Sequence, residues 1–532
     1  MLERGSVEGQ VFHRTAVAAL SDVGSVDGDL VALLRKDLVR PEQPLLPDDD
    51  AYRFRHLLIR DTAYEALPKA TRAELHERFA DWLAVNGTAL VELDEILGYH
   101  FEQAYRYREE LGPLDDRAMA LAEQAAMRLL AGGNHALERG DAPAVIRLLS
   151  RTLALLPAAD PRAPAAQLEL ARAVSEQGDL DRAGALLDEA VSAARAAGDE
   201  RVLARSRVAR IDFQLLAAPE WKMTEGLAEA QAALAELDRI GDDDGAVWAL
   251  RVIGALVGWL GNNGESQVHW RRAVERGGRA DNRFVNDVLG WMLLGAWWGP
   301  TSVAEVRELA DEALGTTSSK RLESYARIVR GVTLAAEGQL EEGRGEVLAG
   351  KTLIRELGDL ISWGGIAAME SDMELGSGSP EHAYRALAAG AEVLVASSET
   401  GYLATVLSMQ SLAALELGRP DEALSLTTRA CKIAVQDDID PHVRDRVVRG
   451  RIAAQRGEFE NAAELVEEAG RMIERTDFAG AHLDVARARA EVARLAGRSD
   501  EERAALADAL AIAESKGHTV AMQRIRGRLE AV

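Results

Sequence analysis

One cysteine, Cys431, stands in 532 residues. A disulfide framework and a thiolate metal site are therefore excluded. Proline is scarce at 14, aromatics make up only 5 % and β-branched runs are few, so little interrupts helix formation while alanine and leucine favour it. Long apolar runs are missing too. The most apolar window, Val247–Leu260, carries Arg251 and is too short to cross a bilayer, so it reads as a buried helix. Basic residues are the minority, 62 against 87 acidic, for a formal charge of −25. That balance argues against bulk attraction to nucleic acid or anionic membranes and suggests a cytoplasmic protein. Catalytic patterns are lacking as well. His76-Glu77 has no second histidine of a zinc-protease helix, the ten histidines show no ligand spacing, and no G-x-S-x-G elbow occurs. The expectation is no catalytic residue, no metal and no enzyme.

What the chain does have is repetition. Gly418 opens a run with small residues at Ala423 and Ala430. The frame recurs at Gly140 (Thr152), Gly178 (Ala183, Ala190), Gly261 (Ser266, Ala273) and Gly338 (Gly343, Gly350). It returns at Gly378 (Ala383, Gly390), Gly457 (Ala462, Ala469) and Gly497 (Ala509), with weaker copies near Trp221 and Gly299. Starts lie roughly 38 to 43 residues apart, the signature of stacked repeats. An amphipathic run precedes each start, so one unit reads helix, turn, helix. Small residues let the two helices approach closely, and a lone hairpin cannot bury its apolar face, so units must stack on their neighbours. This predicts an all-α superhelical solenoid of about ten tetratricopeptide-like hairpins over 117–532, closed by a capping helix at Val520–Ala531. The period exceeds the 34 residues of a tetratricopeptide unit, and linkers at Pro157–Pro164, Gly241–Gly245 and Gly315–Ser319 would account for the excess.

The first 87 residues read differently. Short helices are expected at Val11–Leu20 and Asp27–Leu38, and a Pro-rich, acidic-tipped turn at Pro41–Asp50. A short strand should begin Tyr52–Ile59, with helices at Asp61–Leu67 and Lys69–Val85. Together they suggest a small winged-helix-like domain over 1–87, with an irregular helical cap as the alternative, followed by a helical bridge over 88–116. The series YRFRHLLIRDTAYEALPKATRAELHERFADWL, followed by DEILGYHFEQAYRY at Asp94–Tyr107, resembles the junction between ATPase and repeats in large bacterial signalling proteins. Those relatives join a class III adenylate/guanylate cyclase, a STAND-type P-loop ATPase and C-terminal tetratricopeptide-like repeats. LuxR-type regulators of the maltose-activator kind share the plan more distantly. The resemblance is specific over 1–157 and architectural beyond. Neither cyclase nor ATPase core stands in this chain, which implies a split relative or a fragment of a longer product. In the resembled families, and in plant disease-resistance ATPases with a related M-H-D motif, a winged-helix histidine contacts the phosphates of bound ADP. Arg55-His56-Leu57-Leu58-Ile59-Arg60-Asp61 matches that frame, so His56, Arg55 and Asp61 are the nucleotide-sensing candidates. A structural histidine capping the neighbouring helix is the alternative. ATP or ADP is expected only through a partner or the missing ATPase domain, with no cofactor on this chain.

Gly345–Thr352 satisfies the phosphate-loop pattern G-x-x-x-x-G-K-T. That loop needs a buried strand before it and a helix N-terminus after it, and the preceding GQLEEGR offers neither. Gly343 and Gly350 instead fall in register with Ala423 and Ala430, so they read as packing residues inside a helix, with Lys351 pointing to solvent. Acidic pairs at Asp242–Asp244, Asp437-Asp438 and Asp48–Asp50 read as solvated turns. Tryptophans crowd one quarter of the array: Trp248, Trp259, Trp270, Trp291, Trp297 and Trp298. Trp259, Trp270, Trp291, Trp297 and Trp298 are candidates for stacking on a ligand along a concave face, unless they fill gaps between helices. The expected function is the regulatory, partner- or effector-binding arm of a cyclase-associated signalling ATPase. The alternatives are a free-standing repeat scaffold or a winged-helix transcriptional regulator. For the latter, Arg53, Arg55, Arg60, Lys69 and Arg72 are interleaved with acids and make a thin phosphate surface. Nucleic acid and membrane are not expected partners.

Overall fold

The structure, a computed structural model, describes residues 1–21, 26–46, 49–157, 159–278 and 283–532; Pro47, Asp48 and Ala158 of the turns above lie outside them. The chain forms two compact units, 1–136 with 144–166 and 137–143 with 167–532.

The first unit opens α1 (Leu2–Glu8), β1 (Val11–His13), α2 (Arg14–Ala19), α3 (Asp27–Arg35), β2 (Val39–Glu42), β3 (Ala51–Phe54). The strands form an antiparallel sheet in the order β1-β3-β2, with Val11 opposite Arg53 and Val39 opposite Phe54. The expected helix from Val11 begins only at Arg14. Phe12 is fully buried, its ring 6.0 Å from Tyr52 and 5.1 Å from Phe54. Pairing with a distant strand thus overrides local helix preference. α4 (Leu57–Glu65) starts four residues earlier than expected, α5 (Lys69–Asn86) matches, and the expected bridge is α6 (Leu93–Leu111), packed along α5. Between them His76 Nδ1 lies 2.8 Å from His100 Nδ1, and the Tyr64 hydroxyl lies 2.7 Å from His76 Nε2 and 2.9 Å from the Tyr107 hydroxyl.

The second unit is a succession of helical hairpins ending in the solitary helix Thr519–Leu529. All eight strong frame glycines hold positive φ, from 69° at Gly140 to 105° at Gly338, the left-handed region that glycine enters without strain. The small residues are the contact points. A Cβ on Gly350 would stand 2.6 Å from the Ser324 carbonyl oxygen, and one on Gly343 would strike that of Gly331. The long period resides in the helices. Lys320–Ala336 and Leu340–Glu356 each have 17 residues and are joined by three, while Gly241–Gly245 is no linker, since a helix starts at Asp243.

Two expectations are corrected here. Lys351 is not solvated: its side chain is 12 % exposed, with Nζ 2.5 Å from Glu370 and 4.7 Å from the Trp363 ring centroid. An arm long enough to reach the next hairpin finds a carboxylate and an indole there. Nor are all the acids solvated, although Asp50, Asp243 and Asp244 are exposed. Asp242 and Asp438 are buried helix N-caps, and Asp437 accepts from the Met223 amide at 2.7 Å and the Thr224 amide at 2.9 Å.

That last contact reveals the coil. Asp477 accepts from the amides of Asn263 (2.7 Å) and Gly264 (2.6 Å). Lys516 Nζ donates to the carbonyls of Ala296 (3.0 Å), Gly299 (2.7 Å) and Thr301 (2.6 Å). Partners are 213 to 220 positions apart, so one superhelical turn takes roughly five and a half hairpins and rests directly on the next. Each unit therefore touches more than its neighbours.

Candidate functional site

Helices that start each hairpin line the inside of this coil, and two adjoining cavities lie among them. The first, about 150 Å³, has an ionic wall. Arg321 reaches Asp359 at 2.8 Å, Glu176 at 2.7 Å and Asp287 at 3.7 Å, and Arg172 stands 3.8 Å from Asp287. Arg251 pairs with Asp212. Burial works against the charge on Arg321, yet the carboxylates of Glu176, Asp359 and Asp287 outweigh it and hold the guanidinium well above its usual pKa. The same burial pushes the Tyr325 phenol up, while its hydroxyl donates to Ser362 Oγ at 3.0 Å.

The second cavity, about 140 Å³, shares Ala255, Trp291, Tyr325, Ser362 and Tyr402 with the first and is walled by aromatic rings. Trp259 meets Tyr402 edge to face at 5.2 Å, Trp298 meets Phe478 at 5.6 Å, and Trp270 lies 6.4 Å from Trp291. Trp270 is buried, its Nε1 satisfied by donating to the Arg251 carbonyl at 3.1 Å, whereas Trp259, Trp291 and Trp298 are half-buried. Asp438, Asp440 and Arg444 complete the lining. The fold thus brings four of the five candidate tryptophans to one cavity. Trp297 turns away: it is buried, donates to Asp372 at 3.0 Å, and lies with Lys516 and His518 on a smaller cavity of about 80 Å³. There burial lifts the Asp372 carboxyl to about 6 and lowers the Lys516 ammonium to about 7.

Sequence reasoning missed Tyr325, Tyr402, Phe478 and the ion pairs. A signal existed for the pairs, since Arg205–Asp242, Arg321–Asp359, Arg251–Asp212 and Arg451–Glu491 are separated by 37, 38, 39 and 40 positions. A charge pair at the repeat period joins equivalent faces of successive hairpins.

In the first unit, His56 is exposed at the N-cap position of α4, and its side chain makes no capping bond. Arg55 stands 3.4 Å from Asp37, and Asp61 pairs with Arg60 at 3.0 Å, not with His56. Leu57 and Leu58 beside them are 55 % and 77 % exposed. Among the described residues no cluster of three or more His, Cys, Asp or Glu is placed to hold a metal, and no helix is long and apolar enough to cross a membrane.

These features define an all-α, tetratricopeptide-like repeat solenoid. No protein-family model matches the chain and no curated protein matches it. Among solved structures it is similar to the APC/C hetero-tetramer Cut9–Hcn1, with 13 % identity and TM-score 0.50 over 88 % of this chain and 86 % of that one. Similarity to a Rap protein complexed with competence and sporulation factor has TM-score 0.46 at 12 % identity, over 66 % of this chain and 99 % of that one. A STAND protein with a tetratricopeptide repeat sensor from Pyrococcus horikoshii gives 0.26 at 14 %, over 97 % and 65 %. The first establishes the fold alone, and the two lower scores carry no argument.

Proposed function

We propose that the chain is a non-catalytic sensing arm: the repeat coil takes a peptide segment or small effector on its inner face, and the first unit couples that event to an ATPase or cyclase module supplied in cis or in trans. The observation that carries this reading is the cavity where Trp259, Trp291 and Trp298 present half-buried rings to open space. Indoles that merely fill gaps between helices would be covered on all sides, as Trp248 is at 1 % exposure. Concave, mostly apolar sites with a few polar groups are where ligands bind.

The helix–strand order of the first unit, with its β2–β3 hairpin, supports the winged-helix reading. α3 would be the recognition helix of a DNA-binding version, but Asp27 and Asp29 occupy its first turn and Arg35 is its one basic residue. That favours protein contact over phosphate contact. Exposed His56, flanked by exposed Leu57 and Leu58, has the composition of a surface covered by another domain. There the histidine would donate to an ADP phosphate of the supplied module and hold its closed state.

Two measurements test this. Acrylamide quenching of single-tryptophan variants should find Trp259, Trp291 and Trp298 accessible, and peptide binding should protect them; indoles unquenched throughout would return the cluster to packing. With the ATPase module supplied, His56→Ala should lose ADP retention and raise basal output. A contact of about 1.5–3 kcal/mol shifts the open-to-closed ratio roughly tenfold to over a hundredfold. Unchanged retention in a folded variant would remove the role assigned to His56.

A further inference from the structure

We propose that the aromatic cavity receives the arginine or lysine side chain of an extended peptide, with Asp438 as its counter-charge. This rests on the groove-binding reading and specifies the chemistry of the occupant.

The argument begins with what equivalent acids do. Asp242 and Asp359, like Asp438, cap the helix that begins a hairpin and are buried. Asp242 is held by Arg205 through two bonds of 2.6 Å, and Asp359 by Arg321 at 2.8 Å. Asp438 is 3 % exposed. It accepts one bond, from the Asp440 amide at 3.2 Å, and has no ion-pair partner among the described residues. The repeat explains why. Arg321 stands seventeen residues before the turn glycine Gly338, and seventeen before Gly418 stands Gly401. No side chain fits there, because a Cβ on Gly401 would strike the Leu215 carbonyl of the adjoining superhelical turn. Coiling has removed the arginine that this carboxylate would otherwise own.

Nothing else in the wall replaces it. Arg444 lines the same cavity, but its Nε is shared by both oxygens of Asp440 at 3.1 and 3.2 Å, and it stands 3.6 Å from Asp484. Burial, reinforced by Asp440 and only partly offset by Arg444, raises the Asp438 carboxyl well above its usual range, the response of a desolvated acid. The remaining wall suits a cation. Indole faces attract guanidinium and ammonium groups, and Trp291 already carries one, with Arg251 Cζ 5.7 Å from its centroid. A volume of about 140 Å³ accommodates one long side chain and not a folded domain. The shared wall at Trp291, Tyr325 and Tyr402 leads into the ionic cavity, so an extended chain can continue into it at about 3.3 Å per residue.

The experiment uses fluorescein-labelled heptapeptide pools with a fixed central Arg, Lys, Met or Glu and randomised flanks, titrated by anisotropy against the whole chain. Arg and Lys pools should bind at least about tenfold more tightly than Met and Glu pools. Asp438→Asn keeps the N-cap, since asparagine caps as well as aspartate, and should bring the Arg pool down to the Met pool. Trp259→Leu, in the same cavity, should cut the same preference should the asparagine variant fold poorly. Equal binding of the four pools would overturn this inference and leave the groove reading standing. A preference that survives both substitutions would overturn it as well. Silence from every pool would overturn both.

Discussion

Lys351 illustrates how a residue's neighbours decide its meaning. In the phosphate-loop pattern it would touch a nucleotide; in the structure it meets Glu370 and the face of Trp363. Lys351→Ala should therefore leave nucleotide binding at background and cost about 1–2 kcal/mol. That lies between an exposed pair, worth under about 1 kcal/mol, and a fully buried one, worth about 3–5 kcal/mol when broken. Saturable ATP binding lost in the variant would contradict this assignment; an unchanged denaturation midpoint would contradict the pairing. The histidines of the first unit make a second residue-scale prediction. Burial, followed by repulsion from Arg60 and Arg72, lowers His76 to about 3, and burial with the neighbouring His76 lowers His100 well below its usual value. The unfolded chain takes up these protons below pH 6.5, while in the folded unit His76 refuses its proton until about pH 3 and His100 holds out well below its usual range. The unfolded state thus binds more protons in that window, and stability falls as pH falls through it, by up to about 1.4 kcal/mol per unit for each histidine. Melting of the first unit should steepen from pH 6.5 downward, and His100→Phe should flatten that slope. A pH-independent midpoint would show that the pair is solvated.

At the scale of one hairpin, the contact between paired helices depends on missing side chains. Gly350→Val would drive methyl groups into the Ser324 carbonyl and the Ile328 side chain, 2.6 Å from the new Cβ. Overpacking of this kind costs about 1–3 kcal/mol. Hydrogen exchange should rise in Lys320–Ala336 and Leu340–Glu356, with Gly345→Ala as control, since nothing stands within 4 Å of its Cβ. Equal effects from both variants would mean that the helices do not touch there. Hairpins were legible in the sequence because turn glycines and small residues repeat at fixed offsets, each set by a local steric demand. Val11–His13 was not legible as a strand, because its identity depends on β3, some forty residues away.

At the scale of the molecule, contacts between superhelical turns qualify the picture of a one-dimensional array. Asp477→Ala removes acceptors for the amides of Asn263 and Gly264, groups that would then lie buried or half-buried without partners. Loss of about 1–3 kcal/mol is expected, with exchange rising at two places 214 positions apart, around Asp477 and at the start of the helix Asn263–Gly277. A rise confined to the neighbourhood of Asp477 would restore the nearest-neighbour description.

By itself, the sequence determined that this chain is a stack of helical hairpins, where they turn, and that Gly345–Thr352 is helix. Each of these follows from a periodicity written locally: glycine for a positive φ, a small residue for close approach, an apolar stripe for burial. It also showed that tryptophans gather in one quarter of the array. Tertiary structure alone decided that four of them face one cavity while Trp297 faces another, that Lys351 is half-buried, and that Asp438 lacks the arginine its equivalents have. Those outcomes depend on how many hairpins complete a turn of the coil. That number is set by small rotations summed over many helix contacts, and no single stretch of sequence contains the sum.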